Sequence, residues 1–242
     1  MRYDIVVDMR NTIFPLLIGP RYRTATIQHF PSGLLHRKSR HLYRLTSLGI
    51  KDTAEPYYLY IPKEDEEYIS AILNSCEESG PIALISPGAK SHLKRWTQNG
   101  FAQVAERLAR ECMANIIFIG TGEDKEIVGR IRARMKAPSL DLVDKTNIRQ
   151  LAALARRAAI LITNDSAPLH LGCAAGTKVL AIFGPTDPDK YGPTGEFDTV
   201  INKKLSCSPC EVATCRHNYE CMKLILPDEV FETAKMMVEG YG

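Results

Sequence analysis

Three stretches of this 242-residue chain combine small, cationic and hydroxyl-bearing residues at spacings suited to holding an anion. The first is Ser86-Pro87-Gly88-Ala89-Lys90-Ser91-His92-Leu93-Lys94-Arg95-Trp96. Its glycine permits close backbone approach, and its lysines offer charged donors to phosphate oxygens. The plain alternative is a basic surface loop anchored by Trp96. The second is Thr163-Asn164-Asp165-Ser166-Ala167-Pro168-Leu169-His170. Here Ser166 can cap a helix whose N–H groups and positive dipole end suit a diphosphate. His170 lies one turn in, facing the same space, and Asp165 can accept from sugar hydroxyls or from the helix amides. The alternative is a plain capping motif beside a half-buried histidine. The third, Phe183-Gly184-Pro185-Thr186-Asp187-Pro188, reads as a stiff structural turn with no ligand contact.

Two other clusters carry chemistry. Cys207, Cys210, Cys215 and Cys221 are spaced C-x2-C-x4-C-x5-C. Four thiolates so placed would complete a tetrahedral structural zinc site, while reduced thiols in a packed loop and an iron–sulfur site are the alternatives. The run His36-Arg37-Lys38-Ser39-Arg40-His41 offers positive charge to an anionic partner or forms a solvated helix start.

The elements that must position these loops alternate from Pro81 onward. Ile82–Ile85, Ile116–Ile119, Leu142–Val143, Ile160–Thr163 and Val179–Phe183 read as buried strands. Between them run helical patterns: Phe101, Val104, Ala105 and Leu108 after a Thr97 cap; Ile127, Ile131 and Met135; Ile148, Leu151, Leu154 and Ala155 after a Thr146 cap; and Pro168 to Ala175, ended by Gly176. Such alternation requires a parallel sheet with helices on both faces, a Rossmann-like domain. Residues 1–78 read differently: a buried strand over Tyr3–Asp8, a helix over Ser39–Leu48, an extended stretch over Tyr57–Ile61 and a helix over Glu64–Cys76. One strand and two helices cannot bury a core alone, so this segment is expected to be part of a larger domain. The expected division is 1–78, a partial acceptor-side domain; 79–225, the Rossmann-like domain; and 226–242, a helix packing back toward the amino-terminal part.

Composition narrows the partners. Lys+Arg at 31 against Asp+Glu at 28 gives +3, too small a surplus to argue for nucleic acid. No apolar run reaches the roughly 18 residues of a membrane span, and the stretch Ile13–Ile18 is broken by Pro15. The opening residues lack the layout of a signal peptide, so the cytoplasm is the expected compartment. Seven cysteines, an odd count, argue against a disulfide framework.

Taken in order, Pro87-Gly88-Ala89 with Lys94-Arg95-Trp96, then Asn164 to His170, then Phe183 to Pro188 resemble glycosyltransferase family 9, the lipopolysaccharide heptosyltransferases. Tyr3 to Arg10 and His36 to Gly49 resemble the remainder of that family's first domain. The resemblance implies a two-domain GT-B fold, an ADP-heptose-like nucleotide-sugar donor, and no cofactor required for catalysis. By residue matching it implies that Lys94 binds the donor phosphates and stabilises their charge, with Ala89 and Lys90 in the preceding donor loop. Asp165, Ser166, Ala167 and His170 would form the diphosphate and sugar site. Thr146 would lie near the adenine, and Glu123 would hold the ribose hydroxyls. An anionic glycolipid acceptor and peripheral association with the inner membrane are implied as well. Ala167 stands where the family often has glycine, and Lys90 where it often has a hydroxyl residue. The family's amino-terminal Gly-Asp loop, whose aspartate acts as general base, has no match in this chain. The general base is therefore expected to be missing and turnover by this chain alone to be impaired. The competing expectation is a non-catalytic nucleotide-sugar-binding module.

Overall fold

The computed structural model describes residues 3–10, 12–51, 59–74 and 80–240. The chain divides into two compact units, Met1–Pro56 with Asp189–Tyr191, and Tyr57–Pro188 with Gly192–Gly242.

In the first unit, β1 (Ile5–Val6) pairs in parallel with β2 (Tyr22–Arg23), and α1 (Phe14–Ile18) lies between them in sequence. The expected buried strand over Tyr3–Asp8 is shorter and more open: Ile5 is 57% exposed, with β2 its one ladder partner among the described residues. Helix α2 (Arg37–Leu45) starts two residues earlier than expected and tightens into a 3-10 turn over Thr46–Leu48, closed by Gly49 in the left-handed region at φ 76°. Much of its basic charge is used internally. Arg44 is buried and donates to the Asp8 carbonyl at 3.0 Å, and Arg40 donates to the Leu34 carbonyl at 2.6 Å.

The second unit holds α3 (Lys63–Asn74) as well as the sheet. Cys76 and Tyr57, at the edges of two expected elements, lie outside the described residues. Ile69 of α3 is fully buried, Asp65 pairs with Arg149 at 2.9 Å, and the Tyr68 hydroxyl donates to the Lys145 carbonyl. These contacts put α3 with the sheet, on the far side of a boundary drawn at residue 78.

The sheet contains β3 (Ile82–Ser86), β4 (Asn115–Phe118), β5 (Leu140–Asp141), β6 (Ile160–Asn164), β7 (Val179–Phe183) and β8 (Thr199–Asn202). All ladders are parallel, in the order β5-β4-β3-β6-β7-β8. Strand β5 falls two residues before the expected Leu142–Val143, which instead fold into the core just past it. Helices α4 (Gln98–Glu111), α5 (Lys125–Arg132) and, at the end of the chain, α10 (Pro227–Glu239) cover one face. Helices α6 (Ile148–Arg157) and α7 (Ala167–Ala175) cover the other with α3. Short helical turns α8 (Pro188–Tyr191) and α9 (Glu220–Lys223) complete the set. The central strands are apolar on both sides, as a doubly covered parallel sheet requires: Ile85, Ile162 and Ile182 face α4 and α10, while Leu161 and Val179 meet Gly172 of α7. Helix α10 packs on α4 and β6 within this unit. The GT-B-like α/β architecture is the one expected.

Candidate functional site

Sequence order reverses between β3 and β6, which lie side by side. Such a switch point opens a crevice at the carboxyl ends of the strands, because the following helices leave to opposite faces. Here they do: α4 follows β3 on one face and α7 follows β6 on the other. The two loops that border this crevice are the two singled out in the sequence.

The loop after β3 is pinned from several directions. Asn164, fully buried at the end of β6, donates to the Pro87 carbonyl at 2.8 Å and accepts from the Trp96 N–H at 3.0 Å. Arg95 returns to the Ala89 carbonyl at 2.8 Å. Trp96 is the expected anchor, buried edge-on against Phe101 with its indole N–H donated to Ile225. Gly88 sits over Asp124, where an added Cβ would approach the carboxylate to 2.2 Å. This is the close approach for which the glycine is needed. With its ends tied, the loop turns through a 3-10 segment, His92–Lys94, and presents Lys94.

The Lys94 ammonium meets Oδ2 of Asp165 at 2.6 Å, across 71 residues of sequence. The Asp165 side chain is 7% exposed and that of Lys94 30%. The same Oδ2 accepts the Thr186 hydroxyl at 2.7 Å, and Thr186 is itself buried. Asp165 is therefore engaged with a lysine and a threonine, where sequence reasoning assigned it to sugar hydroxyls or helix amides. Thr186 was missed, since its loop read as a structural turn. Asn164 was given no role of its own within its motif and Asp124 was not singled out; buried polar side chains beside glycine-bearing loops are the signal that points to them.

Helix α7 begins differently from the expected cap. Ser166 occupies the N-cap position but makes no side-chain bond to the helix; its Oγ lies 3.2 Å from the Thr163 hydroxyl. Pro168 has no N–H, and Leu169 N–H is already donated to the Ser166 carbonyl at 3.2 Å. The amides this turn can offer an anion are thus those of Ser166 and Ala167. Ala167 and His170 are both exposed on the first turn.

Glu123 and Thr146 lie on the same rim, farther along the strand order. Glu123 is exposed in the 3-10 turn Gly122–Asp124 after β4, where Thr121 and Asp124 form a capping box. Thr146 lies in the loop after β5; the cap of α6 is its neighbour Asn147, which accepts from Gln150 N–H at 2.9 Å. The two turns are joined by Lys125 and Asp144 at 2.8 Å. Lys90 is exposed and Ala89 buried in the loop after β3.

The four clustered cysteines line one cavity of about 450 Å³ with Leu93, Pro185 and Tyr219 among its walls. Its walls take in Leu93 and Pro185 of the Lys94 and Thr186 loops but neither Lys94 nor Asp165. Burial, with the neighbouring Cys215, Cys210 and Cys207, pushes the Cys221 thiol above its ordinary value. Cys215 sulfur accepts the N–H groups of His217 and Tyr219. Among the described residues no three His, Cys, Asp or Glu side chains are disposed to hold a metal ion.

The model of glycosyltransferase family 9 (heptosyltransferase) matches residues 39–220, three quarters of the chain and all of the loops above. The chain belongs to this family. Among curated family 9 relatives, lipooligosaccharide heptosyltransferase 2 of Campylobacter jejuni is 32% identical over 163 residues, covering 64% of this chain and 50% of its own. Lipopolysaccharide heptosyltransferase 2 of Escherichia coli K12 is 24% identical over 222 residues, covering 82% and 64%. The chain spans about half the length of the first curated relatives it matches. Among solved structures, a family 9 glycosyltransferase of Veillonella parvula superposes with a TM-score of 0.83 at 22% identity, covering 99% of this chain and 75% of its own. The E. coli ADP-heptose heptosyltransferase II superposes with 0.76 at 20%, covering 99% and 78%. These likenesses establish the fold. No helix among the described residues is long and apolar enough to cross a membrane.

Proposed function

We propose that the second unit binds an ADP-heptose-like donor by its diphosphate in the crevice between the β3 and β6 loops, and that the whole protein transfers the sugar to a lipopolysaccharide core or similar anionic glycan. The observation that carries this reading is the Lys94–Asp165 pair at the switch point: a cation held by a buried carboxylate at the mouth of a parallel sheet. Solved relatives of the same fold are an E. coli heptosyltransferase with ADP and the same enzyme with ADP-2-deoxy-2-fluoro heptose.

In the reaction the acceptor oxygen forms a bond to the anomeric carbon as that carbon's bond to the β-phosphate oxygen breaks, and the acceptor hydroxyl's proton passes to a base or to solvent. Negative charge gathers on the departing diphosphate while the sugar becomes oxocarbenium-like. Lys94, with the Ser166 and Ala167 amides, would stabilise that charge more in the transition state than in the ground state. No cofactor is assigned to the step. His170 would reach a phosphate or sugar hydroxyl from the first turn of α7. Glu123 and Thr146, on the rim beyond β4 and β5, would hold the ribose and adenine, with Ala89 and Lys90 lining the phosphate side. On this reading the protein works in the cytoplasm, in peripheral association with the inner membrane, and the exposed Arg37 and Lys38 face the acceptor's anionic groups.

Calorimetric titration with ADP, UDP and GDP tests the donor site. ADP is expected to bind at least about tenfold more tightly than the other two, a difference of about 1.4 kcal/mol. Equal affinities, or no binding by any of them, would remove the nucleotide assignment.

A further inference from the structure

We infer that Thr186 is a positioning residue that acts on the donor diphosphate through Asp165 and Lys94; the inference rests on the donor site proposed above. Three observations carry it. The Thr186 hydroxyl and the Lys94 ammonium converge on a single oxygen, Asp165 Oδ2, at 2.7 and 2.6 Å. Thr186 and Asp165 are each 7% exposed, so water competes little for that oxygen. The loop carrying Thr186 is itself clamped: the Pro185 carbonyl accepts the Cys210 and Glu211 N–H groups, both at 2.9 Å, and the Gly184 carbonyl accepts the Ser208 hydroxyl. Gly184 also packs so closely on Met222 that an added Cβ would come within 2.3 Å of its sulfur.

The physical consequence concerns charge as well as position. A carboxylate near a bound diphosphate repels it unless its own charge is engaged. Two donors on Oδ2, one of them charged, engage that oxygen's charge before a ligand arrives. The hydroxyl is a neutral donor, so it holds the carboxylate without competing for the lysine's charge. A lysine on four methylenes has much rotamer freedom to lose, and a fixed carboxylate limits its head to one region before the ligand arrives. The cysteine-rich loop acquires a role here: its backbone amides brace the turn from which Thr186 projects.

The test separates position from folding by using two nucleotides. Thr186→Val keeps the shape and removes the hydroxyl; Thr186→Ser keeps the hydroxyl. ADP, whose β-phosphate is the group Lys94 serves, should bind about tenfold more weakly to Thr186→Val. AMP, which lacks that phosphate, should change by less than about twofold, and Thr186→Ser should restore most of the ADP affinity. Should the valine variant not fold, Thr186→Ala carries the same expectation. Unchanged ADP affinity, equal losses for ADP and AMP, or failure of serine to restore binding would each overturn the inference while leaving the donor site standing. A wild-type protein that binds no ADP would overturn both.

Discussion

At the scale of single residues, Lys94 and Asp165 are coupled in a way that makes their variants informative. Removing the ammonium leaves a carboxylate that is 7% exposed with one named partner fewer. Lys94→Ala is therefore expected to lower stability by about 1–3 kcal/mol, besides weakening ADP binding at least about tenfold. In Lys94→Ala/Asp165→Asn the stranded charge is gone, so urea denaturation should show stability partly recovered while calorimetry shows ADP affinity still lost. Recovery of both would take Lys94 out of the phosphate site. Cys173 gives a pH-dependent prediction. Burial, with Asp198 beside it, pushes this thiol from 9.0 up to about 12. The folded state thus holds the proton more tightly than the unfolded chain. The associated stability is fully present below about pH 9 and is lost as pH rises toward 12. The melting temperature of the wild type should fall across that window more steeply than that of Cys173→Ala. Parallel profiles would refute the assignment.

At the scale of elements, the strand and helix pattern from residue 81 onward was legible because buried parallel strands and amphipathic helices write short, regular apolar periods. Helix ends were less legible. Thr146 and Asn147 are both acceptable caps by type, and the choice of Asn147 depends on its reciprocal bonds with Gln150. Ser166 has the right type and position, yet its hydroxyl turns to Thr163. Helix α10 shows what packing adds to such patterns. Arg107 of α4 lies 3.5 Å from the ring centroid of Phe231 and reaches Asp228 and Glu232 at 2.9 and 3.1 Å. Its partners are exposed, so each ion pair is weak, and the stacked face adds to them. Arg107→Ala is expected to lower stability by about 1–2 kcal/mol, and Arg107→Lys to recover less than half, since the planar fork is lost. Chemical denaturation of the two variants measures this; equal stability of all three proteins would show that α10 is held by its apolar face alone.

At the scale of the whole molecule, the division into units makes a direct prediction. The unit that includes residues 57–188 and 192–242 contains the six-stranded sheet, its covering helices and every residue assigned to the donor. A protein of residues 57–242 is expected to fold cooperatively and to bind ADP within about threefold of the full chain, about 0.7 kcal/mol. A loss of ADP binding with folding intact would show that residues 1–56 contribute to the donor site.

The sequence by itself determined the kind of sheet, the two loops at its switch point, and the family, because these depend on local period, turn chemistry and short ordered motifs. It left open which loop residues meet. Lys94 and Asp165 are brought together by the side-by-side placement of β3 and β6, and Thr186 joins them because β7 is the next strand over. Strand order is a property of the folded sheet. The rotamers, burial and shared carboxylate oxygen that turn three polar residues into one unit exist only once those strands are paired.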